Sequence, residues 1–477
     1  MSGFDFDRGI DLVRRLGREA ASRPLAPEPT AAIIRAEVDL AIGRHGADTA
    51  VVLAALEAIV GHSVNTAHPG FHNQLFSGQH PPAVIGEFVA TLLNTTMATW
   101  EASPAATLVE TGLLERLADL AGLGPGDGVF TTGGSESNML ALLAARHRRY
   151  PAIRTSGRWP ERPPVVLVSE AAHYSVASAA QALGFGLANV VRVPVDAWGR
   201  MRRPALAAAV AESRARGGDP FFVCATAGTS VLGAFDPLDE IAEVADGEDL
   251  WLHVDGCLGA PALLSTRWRH LLAGSERADS LVWDAHKLMG VPITCSALVV
   301  AEPGCLEAAA SPDRAEYLFH ESDADRPDDL GPRNIRCARR VDALKLWTAW
   351  KALGDEGYEA RIDRLFDLAA AAGAAIDQAT GLERIAPVQS VSVVFRPVAP
   401  AGVDPGWLVR AVRQRLIDQG IAFLNYAPVN GTDALRLLIS NADVTDEQVR
   451  AIVSGAAAAR DAVLRSAERE AGAWPAR

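Results

Sequence analysis

Cysteine is scarce in this chain, and the few present do not pair. The 477 residues include five: Cys224, Cys257, Cys295, Cys305 and Cys337. The count is odd and no two form C-x-x-C. That argues against a disulfide framework and a structural zinc site, and for reduced, buried thiols in a cytosolic protein. No metal is expected. Long apolar runs are also missing. No stretch approaches the ~18 residues that a membrane-spanning helix needs. The N-terminal MSGFDFDRGIDLVRRLGREA is polar and amphipathic, without the apolar segment of a secretory signal. Positive charge is in deficit: 45 Lys+Arg against 58 Asp+Glu give a net charge of -13. A nucleic-acid partner or an anionic membrane surface is therefore not expected. The acidity does not restrict the substrate, because a basic pocket can sit in an acidic protein.

What is present is ample core material. Hydrophobic residues make up 49% of the chain and charged residues 22%, enough for one large domain and smaller ones. Residues 1–85 read as helical and Ala-rich, broken by PLAPEPT at 24–30. HPGFHNQLFSGQHPP (68–82) reads as an irregular loop, and a helix follows around 83–94. From Val129 onward, short apolar runs alternate with Ala-rich helical stretches: VFTT, VVLVS, NVVRVPV, FFVCATAG, WLHVD, SLVWDA and CSALVV. Seven such runs predict a mostly parallel sheet covered on both faces. The last two lie too close for a helical crossover, so one of them is expected to run antiparallel. ESDADRPDDLGPRN (321–334) is charged and nearly free of apolar residues, as a mobile surface loop would be. An amphipathic helix, VDALKLWTAWKAL, comes next. A smaller α+β domain follows, with VSVVFRPV and ALRLLIS as strands. The expected divisions are 1–85, 86–352 and 353–477.

Four pieces carry chemistry, and each falls at the end of a predicted strand, where open α/β sheets bind ligands. TTGGSESN (131–138) runs from strand through glycines to a helix start. Gly134 and Ser135 at a helix N-terminus can hold a phosphate, although an ordinary turn with a Ser N-cap has the same pattern. It is not G-x-G-x-x-G, so a dinucleotide site is not supported. His173 in SEAAHYS can stack on an aromatic cofactor or serve the fold. Asp255 closes WLHVD, where a carboxylate is costly unless paired. A protonated ring nitrogen would be such a partner, and an Asp capping the next turn is the plain alternative. Lys287 in VWDAHKLMG can form a Schiff base from an apolar strand end, or lie on a surface loop.

In this order and spacing the motifs resemble the group II pyridoxal-phosphate (PLP) amino-acid decarboxylases, over residues 60–450. HPGFHNQLFSG, NTTMATWEASP, ATAGTSVLGAFDPLDEIA, AEYLFH and RCARRVDALKLW are most similar to the glutamate and cysteine-sulfinate decarboxylase branch. The resemblance implies an α/β, fold-type-I PLP enzyme: a seven-stranded, mostly parallel sheet in a large domain, and a smaller C-terminal α+β domain. It implies a homodimer with active sites at the interface and an N-terminal segment embracing the partner. It implies that Lys287 carries the cofactor and that His286, Gly134 and Ser135 hold its phosphate. Asp255 pairs with the pyridine nitrogen, His173 stacks on the ring, and Gly256 and Asp284 also border the cofactor. Gln74, Thr96 and Arg436 line the substrate pocket. The implied activity is α-decarboxylation of an L-amino acid with an acidic side chain, giving the amine and CO2.

Three departures bear on this. Asp284 stands where the family often has Asn, an acid near a phosphate. H-V-D-G-C-L-G-A replaces H-V-D-A-A-x-G-G, removing a methyl at Gly256. Residues 321–334 contain no Tyr, the family's usual donor of a proton to the carbanion; Asp328 or Asp329 falls at that place, and His320 is nearby. Two alternatives follow: a different outcome, such as oxidative deamination or transamination, or a cofactor-binding pseudoenzyme.

Overall fold

All seven apolar runs become strands of a single sheet in the computed structural model, which describes residues 4–27, 30–311, 315, 317–319 and 329–471. In chain order the strands are β1 (Phe71–His72), β2 (Asp127–Thr131), β3 (Pro164–Ser169), β4 (Val190–Val193), β5 (Asp219–Thr226), β6 (Trp251–Asp255), β7 (Ser280–Asp284), β8 (Ser296–Val300), β9 (Leu382–Arg384), β10 (Ser392–Pro397), β11 (Phe423–Val429) and β12 (Thr432–Leu438). The chain groups into two compact units.

The larger unit comprises residues 79–370 and 386–393. Its sheet has the order β2-β8-β7-β6-β5-β3-β4. β3, β4, β5, β6 and β7 pair in parallel, while β8 is antiparallel to both β2 and β7. Six strands therefore share one direction and β8 alone opposes them. Its reversal follows from chain length: the segment between β7 and β8 contains no helix to carry the chain back across the sheet. Every residue of β3, β6, β7 and β8 is buried. Burial on both faces is why these strands read as unbroken apolar runs rather than as alternation. The helix Gly134–Arg149 packs its buried Leu140, Ala141, Leu142 and Ala144 into the core shared with Val166, Val168, Phe222 and Trp251. Each fully buried large apolar side chain there contributes ~1.5–3 kcal/mol relative to exposure.

The helix expected around 83–94 is Pro81–Leu93. It starts on proline and stops at Asn94, whose left-handed φ of 44° ends the turn pattern. The helix expected after residue 340 is longer, Ala343–Gln378, and is two helices joined at Gly354, where φ is 68°.

The smaller unit comprises residues 1–78, 371–385 and 394–477. Its sheet has the order β1-β11-β12-β10-β9. VSVVFRPV and ALRLLIS supply β10 and β12. β1 pairs in parallel with β11, Phe71 opposite Phe423. The divisions expected at residues 85 and 352 followed chain order. The smaller unit instead closes across that order, because a two-residue strand early in the chain docks on a strand late in it. No helix among the described residues is long and apolar enough to cross a membrane.

Candidate active site

Within the larger unit, four strand ends converge on Lys287. β7 ends at Asp284, and the backbone N–H of Lys287 donates to the Asp284 carbonyl at 3.1 Å, folding the lysine back over the strand end. Lys287 Nζ then lies 3.0 Å from Asp284 Oδ2, and His286 Nε2 lies 3.8 Å from the same oxygen. The Ser296 hydroxyl donates to Asp284 Oδ1 at 2.6 Å. Burial opposes the charge on Asp284, but Lys287, His286 and Ser296 outweigh it and hold the carboxyl below the usual carboxylate range. Burial likewise opposes the charge on Lys287, and Asp284, Cys257 and Asp255 together raise it above the ordinary lysine value. The resting pair is therefore ionic.

This answers the concern about an acid at position 284. Asp284 is turned to Lys287 and Ser296, and it borders the glycine turn: a Cβ on Gly134 would collide with Cys257 Sγ and lie 3.2 Å from Asp284 Oδ2. The ion pair also makes a prediction. A Schiff base needs the lysine as free amine. Asp284→Asn removes the counter-charge, so half-maximal cofactor uptake by cofactor-free protein is expected ~1–3 pH units lower than in wild type. Stopped-flow absorbance across pH measures it; an unchanged midpoint rules out this role for Asp284.

The glycine turn differs in detail from the sequence expectation. The helix starts at Gly134 with Gly133 as N-cap, and no side chain caps it. Ser135 is thus not the cap; it lies exposed in the first turn, where helix N–H groups are free for an anion. Gly133 has φ 165°, ordinary extended backbone, and nothing within 4 Å of an added Cβ. Gly134 is the glycine that geometry requires. Gly256 is also crowded, not empty: a Cβ there would lie 2.8 Å from the Val282 carbonyl oxygen and 2.9 Å from the Ala260 methyl. The missing methyl therefore reflects a tight approach of backbone to β7.

Asp255 ends β6 with 4% exposure. Its Oδ1 accepts the Cys257 N–H at 3.2 Å and its Oδ2 accepts from Asn138 Nδ2 at 3.1 Å. Asn138 also donates to Ser175 Oγ at 2.9 Å, and Ser175 Oγ lies 2.9 Å from His173 Nδ1. His173 is half-buried. Burial lowers its pKa, with Asp255 raising it and Lys287 lowering it, so all three share one electrostatic site. His286 Nδ1 lies 2.9 Å from the Cys295 carbonyl, which anchors it to the β7–β8 connection.

Each of the expected substrate residues is held by hydrogen bonds of its own. The Thr96 hydroxyl donates to the Cys337 carbonyl at 3.3 Å and accepts the Arg339 N–H at 3.1 Å. It is engaged in holding that backbone, beside the buried Arg339–Glu110 ion pair. In the smaller unit, Arg436 on β12 donates from Nη2 to the Asn73 carbonyl at 2.5 Å, and Gln74 Nε2 donates to Asn73 Oδ1 at 2.6 Å. Asn73 thus brings Gln74 and Arg436 together. Burial pushes the Arg436 guanidinium down to about 10. Asp329 Oδ1 accepts the Trp100 N–H at 2.7 Å, so this carboxylate is anchored to backbone. His320, Asp328 and the rest of 320–328 lie outside the described residues.

Three observations fit a pyridine cofactor with a phosphate arm. The Gly134 cradle lies at a helix start. Asp255 accepts from Asn138 and the Cys257 N–H, and among the described residues no cation is hydrogen-bonded to it. Thr226 Oγ1, in register beside Asp255, is buried without a protein partner. Among the described residues no group of three or more His, Cys, Asp or Glu is placed to hold a metal ion.

Sequence reading missed Asn138, Ser175, Cys257 and Ser296. It passed over His253 as well, although two signals pointed to part of this set. His253 is two residues before Asp255 on a strand, hence on the same face. Asn138 is four residues after Gly134 on a helix, hence one turn above it.

Sheet topology and strand-end residues together define a fold-type-I PLP site. Residues 32–398 match the pyridoxal-dependent decarboxylase conserved domain. The chain belongs to the pyridoxal-dependent decarboxylase family: its cofactor is pyridoxal 5′-phosphate, and its reaction class is amino-acid decarboxylation. It is 38% identical over 421 residues to the cysteine sulfinic acid decarboxylase of Homo sapiens, covering 86% of this chain and 85% of that one. It is 37% identical over 409 residues to the acidic amino acid decarboxylase GADL1 of Mus musculus, covering 83% and 74%. Among solved structures, mouse CSAD in apo form aligns with a TM-score of 0.90 at 33% identity, covering 94% of this chain and 97% of that one. Oryza sativa TDC with PLP and tryptamine aligns at 0.89 and 25% identity, covering 96% and 97%.

Proposed function

We propose that this enzyme removes the α-carboxylate of an L-amino acid with an acidic side chain, such as aspartate, glutamate, cysteine sulfinate or an analogue, to give the amine and CO2. The observation that carries the reading is the convergence of Lys287, Asp255 and His173 on one strand-end site; two relatives acting on acidic amino acids support the substrate class. Bound PLP supplies an electron sink for the pair left when the Cα–carboxylate bond breaks. The chain's residues do the rest. Lys287 would hold the cofactor through its amine. Asp284, 3.0 Å away, would keep a proton on the lysine whenever that amine is free. Asp255 would face the ring nitrogen as an acceptor, and His173 would lie against the ring. Gly134, Ser135 and His286 would hold the phosphate.

Arg436 is the side chain we assign to the substrate's acidic group. Its planar fork suits a carboxylate or sulfinate, and a lysine offers only a point charge. Arg436→Lys is therefore expected to raise KM for the best acidic substrate at least about tenfold with little change in Tm. A structural role would show the reverse, with Tm lowered and KM unmoved. The function itself is tested by a panel of acidic, aromatic and basic L-amino acids, with amine, CO2 and carbonyl readouts. Amine and CO2 from the acidic members bear the proposal out; turnover confined to the others, or a carbonyl as main product, overturns it.

We also assign a homodimer in the cytoplasm. The helix Pro81–Leu93 leaves Ile85 56%, Leu92 74% and Leu93 52% exposed, apolar side chains that a partner subunit would cover. Sedimentation at twice the chain mass checks it. All five cysteines are free thiols, as suits a reducing compartment.

A further inference from the structure

A run of hydrogen bonds extends inward from the site to the bottom of β6, and its donors and acceptors can be assigned one by one. The Asn138 carboxamide faces three groups: its Nδ2 lies 2.9 Å from Ser175 Oγ and 3.1 Å from Asp255 Oδ2, and its Oδ1 lies 2.9 Å from His253 Nε2. Turned over, the carboxamide would set oxygen against the Asp255 carboxylate. Its orientation is thereby set, and Oδ1 must accept. His253 Nε2 therefore carries the proton. His253 is fully buried, and burial drops its pKa to about 4, so the ring is neutral and Nδ1 is an acceptor. The group facing Nδ1, at 2.8 Å, is the Ser280 hydroxyl. Ser280 Oγ accepts the Trp251 indole N–H at 2.8 Å, which leaves its own proton for His253. In the other direction, Ser175 Oγ accepts from Asn138, so its hydroxyl proton goes to His173 Nδ1 at 2.9 Å. The Ser175 backbone N–H points to the same nitrogen at 3.3 Å. His173 Nδ1 is then an acceptor, and a neutral His173 carries its proton on Nε2. No hydrogen is left in conflict anywhere from Trp251 to His173.

We propose that Asn138 and His253 are positioning residues that orient the Asp255 carboxylate as an acceptor for the cofactor's ring nitrogen and hold His173 with its proton on Nε2. This rests on the reading that Asp255 faces that nitrogen. Each bond of the network is strengthened by its low-dielectric surroundings. The titratable groups facing Asp255 are His173, His253, Lys287, Cys224 and Cys257. Asn138 donates to the Asp255 carboxylate directly, and His253 fixes the face that Asn138 presents to it.

Three variants of the holoenzyme test this. Asn138→Asp keeps the volume and turns a donor toward Asp255 into an acceptor, so the two acids share a proton. It is expected to shift the pH profile of kcat, to displace the visible absorption band of the bound cofactor, and to lower kcat about tenfold or more with KM little changed. His253→Leu, which frees the carboxamide to turn, is expected to do the same more weakly. His253→Gln retains a donor toward Asn138 and is expected to recover most of the loss. The proposal is overturned if Asn138→Asp keeps the wild-type band and pH profile. It is equally overturned if the His253→Leu defect tracks lost cofactor or lowered Tm alone and Gln does not rescue it. Where a variant does not fold, the unaltered holoenzyme carries the test. Histidine ring 15N spectra should show His253 neutral with its proton on Nε2 from pH 6 to 9, and a cationic or Nδ1-protonated His253 refutes the assignment. Failure of the underlying reading is distinguishable: a harmless Asp255→Ala removes the role of Asp255 itself, whereas a damaging Asp255→Ala with silent Asn138 and His253 variants removes only the positioning pair.

Discussion

Lys287→Ala should yield a colourless protein whose turnover is down by at least about a thousandfold, some 4 kcal/mol of lost transition-state stabilisation. Two effects combine in that variant, and a second substitution separates them. Without the ammonium, buried Asp284 loses its ion partner, 3.0 Å away in the native chain, and an unpaired buried charge costs about 3–5 kcal/mol of stability. Lys287→Arg keeps a positive charge beside Asp284 but cannot form a Schiff base. It should melt near wild type and be equally inactive. Borohydride reduction of the native enzyme, followed by peptide mapping, should place the adduct on Lys287. The chain's two other lysines, Lys345 and Lys351, are poor rivals. Lys345 is fully buried, with Nζ 2.8 Å from Asp342 and 3.0 Å from Glu87, and Lys351 lies over the Trp347 ring at 5.7 Å. An adduct on either would sink the assignment.

Asp255→Ala is expected to cut kcat by a hundredfold or more while leaving most of the protein folded. The catalytic loss comes from the ring nitrogen: without a buried negative charge opposite it, the nitrogen sheds its proton and the electron sink weakens. The structural loss is smaller. One N–H of Asn138 and the Cys257 N–H are each left without an acceptor, at about 1–3 kcal/mol apiece. Cofactor content, Tm and kcat measured on one preparation separate the two. Near-normal turnover by a variant with full cofactor content would falsify the electron-sink role.

The large sheet was legible because both its faces are covered. Strands such as β3 and β6 are buried at every position, so they stand out as apolar runs without any need to judge their alternation. That one of the last two strands opposes the rest was legible for another reason, the short chain between them; that it is β8 came from the fold. What could not be read was anything short or distant. β1 has two residues and β9 three, below any periodicity, and β1 takes its meaning from β11 at the other end of the chain.

The site divides the same way. Lys287, Asp255 and His173 announce themselves because each is a polar residue at the end of an apolar strand. The role of Asp284 was not readable, since its neighbours Ser296 and Lys287 decide whether it faces a phosphate or a cation. Asn138 and His253 are individually unremarked residues on a helix and a strand, and only the fold sets one against the other. For Thr96 the resemblance implies a place at the substrate, and the fold adds that its hydroxyl holds the backbone at Cys337 and Arg339.

The pairing of Phe71 with Phe423 also sets a timetable for synthesis. The first 78 residues leave the ribosome well before their sheet partner exists. At ~5–20 residues per second the roughly 350 intervening residues take tens of seconds. Through that interval the helix Thr49–Gly61 carries Val51, Leu56 and Ile59, side chains that remain substantially exposed even in the finished chain. The nascent N-terminus is thus a candidate client for chaperones, and a deletion confined to the last hundred residues should expose the first seventy to proteolysis.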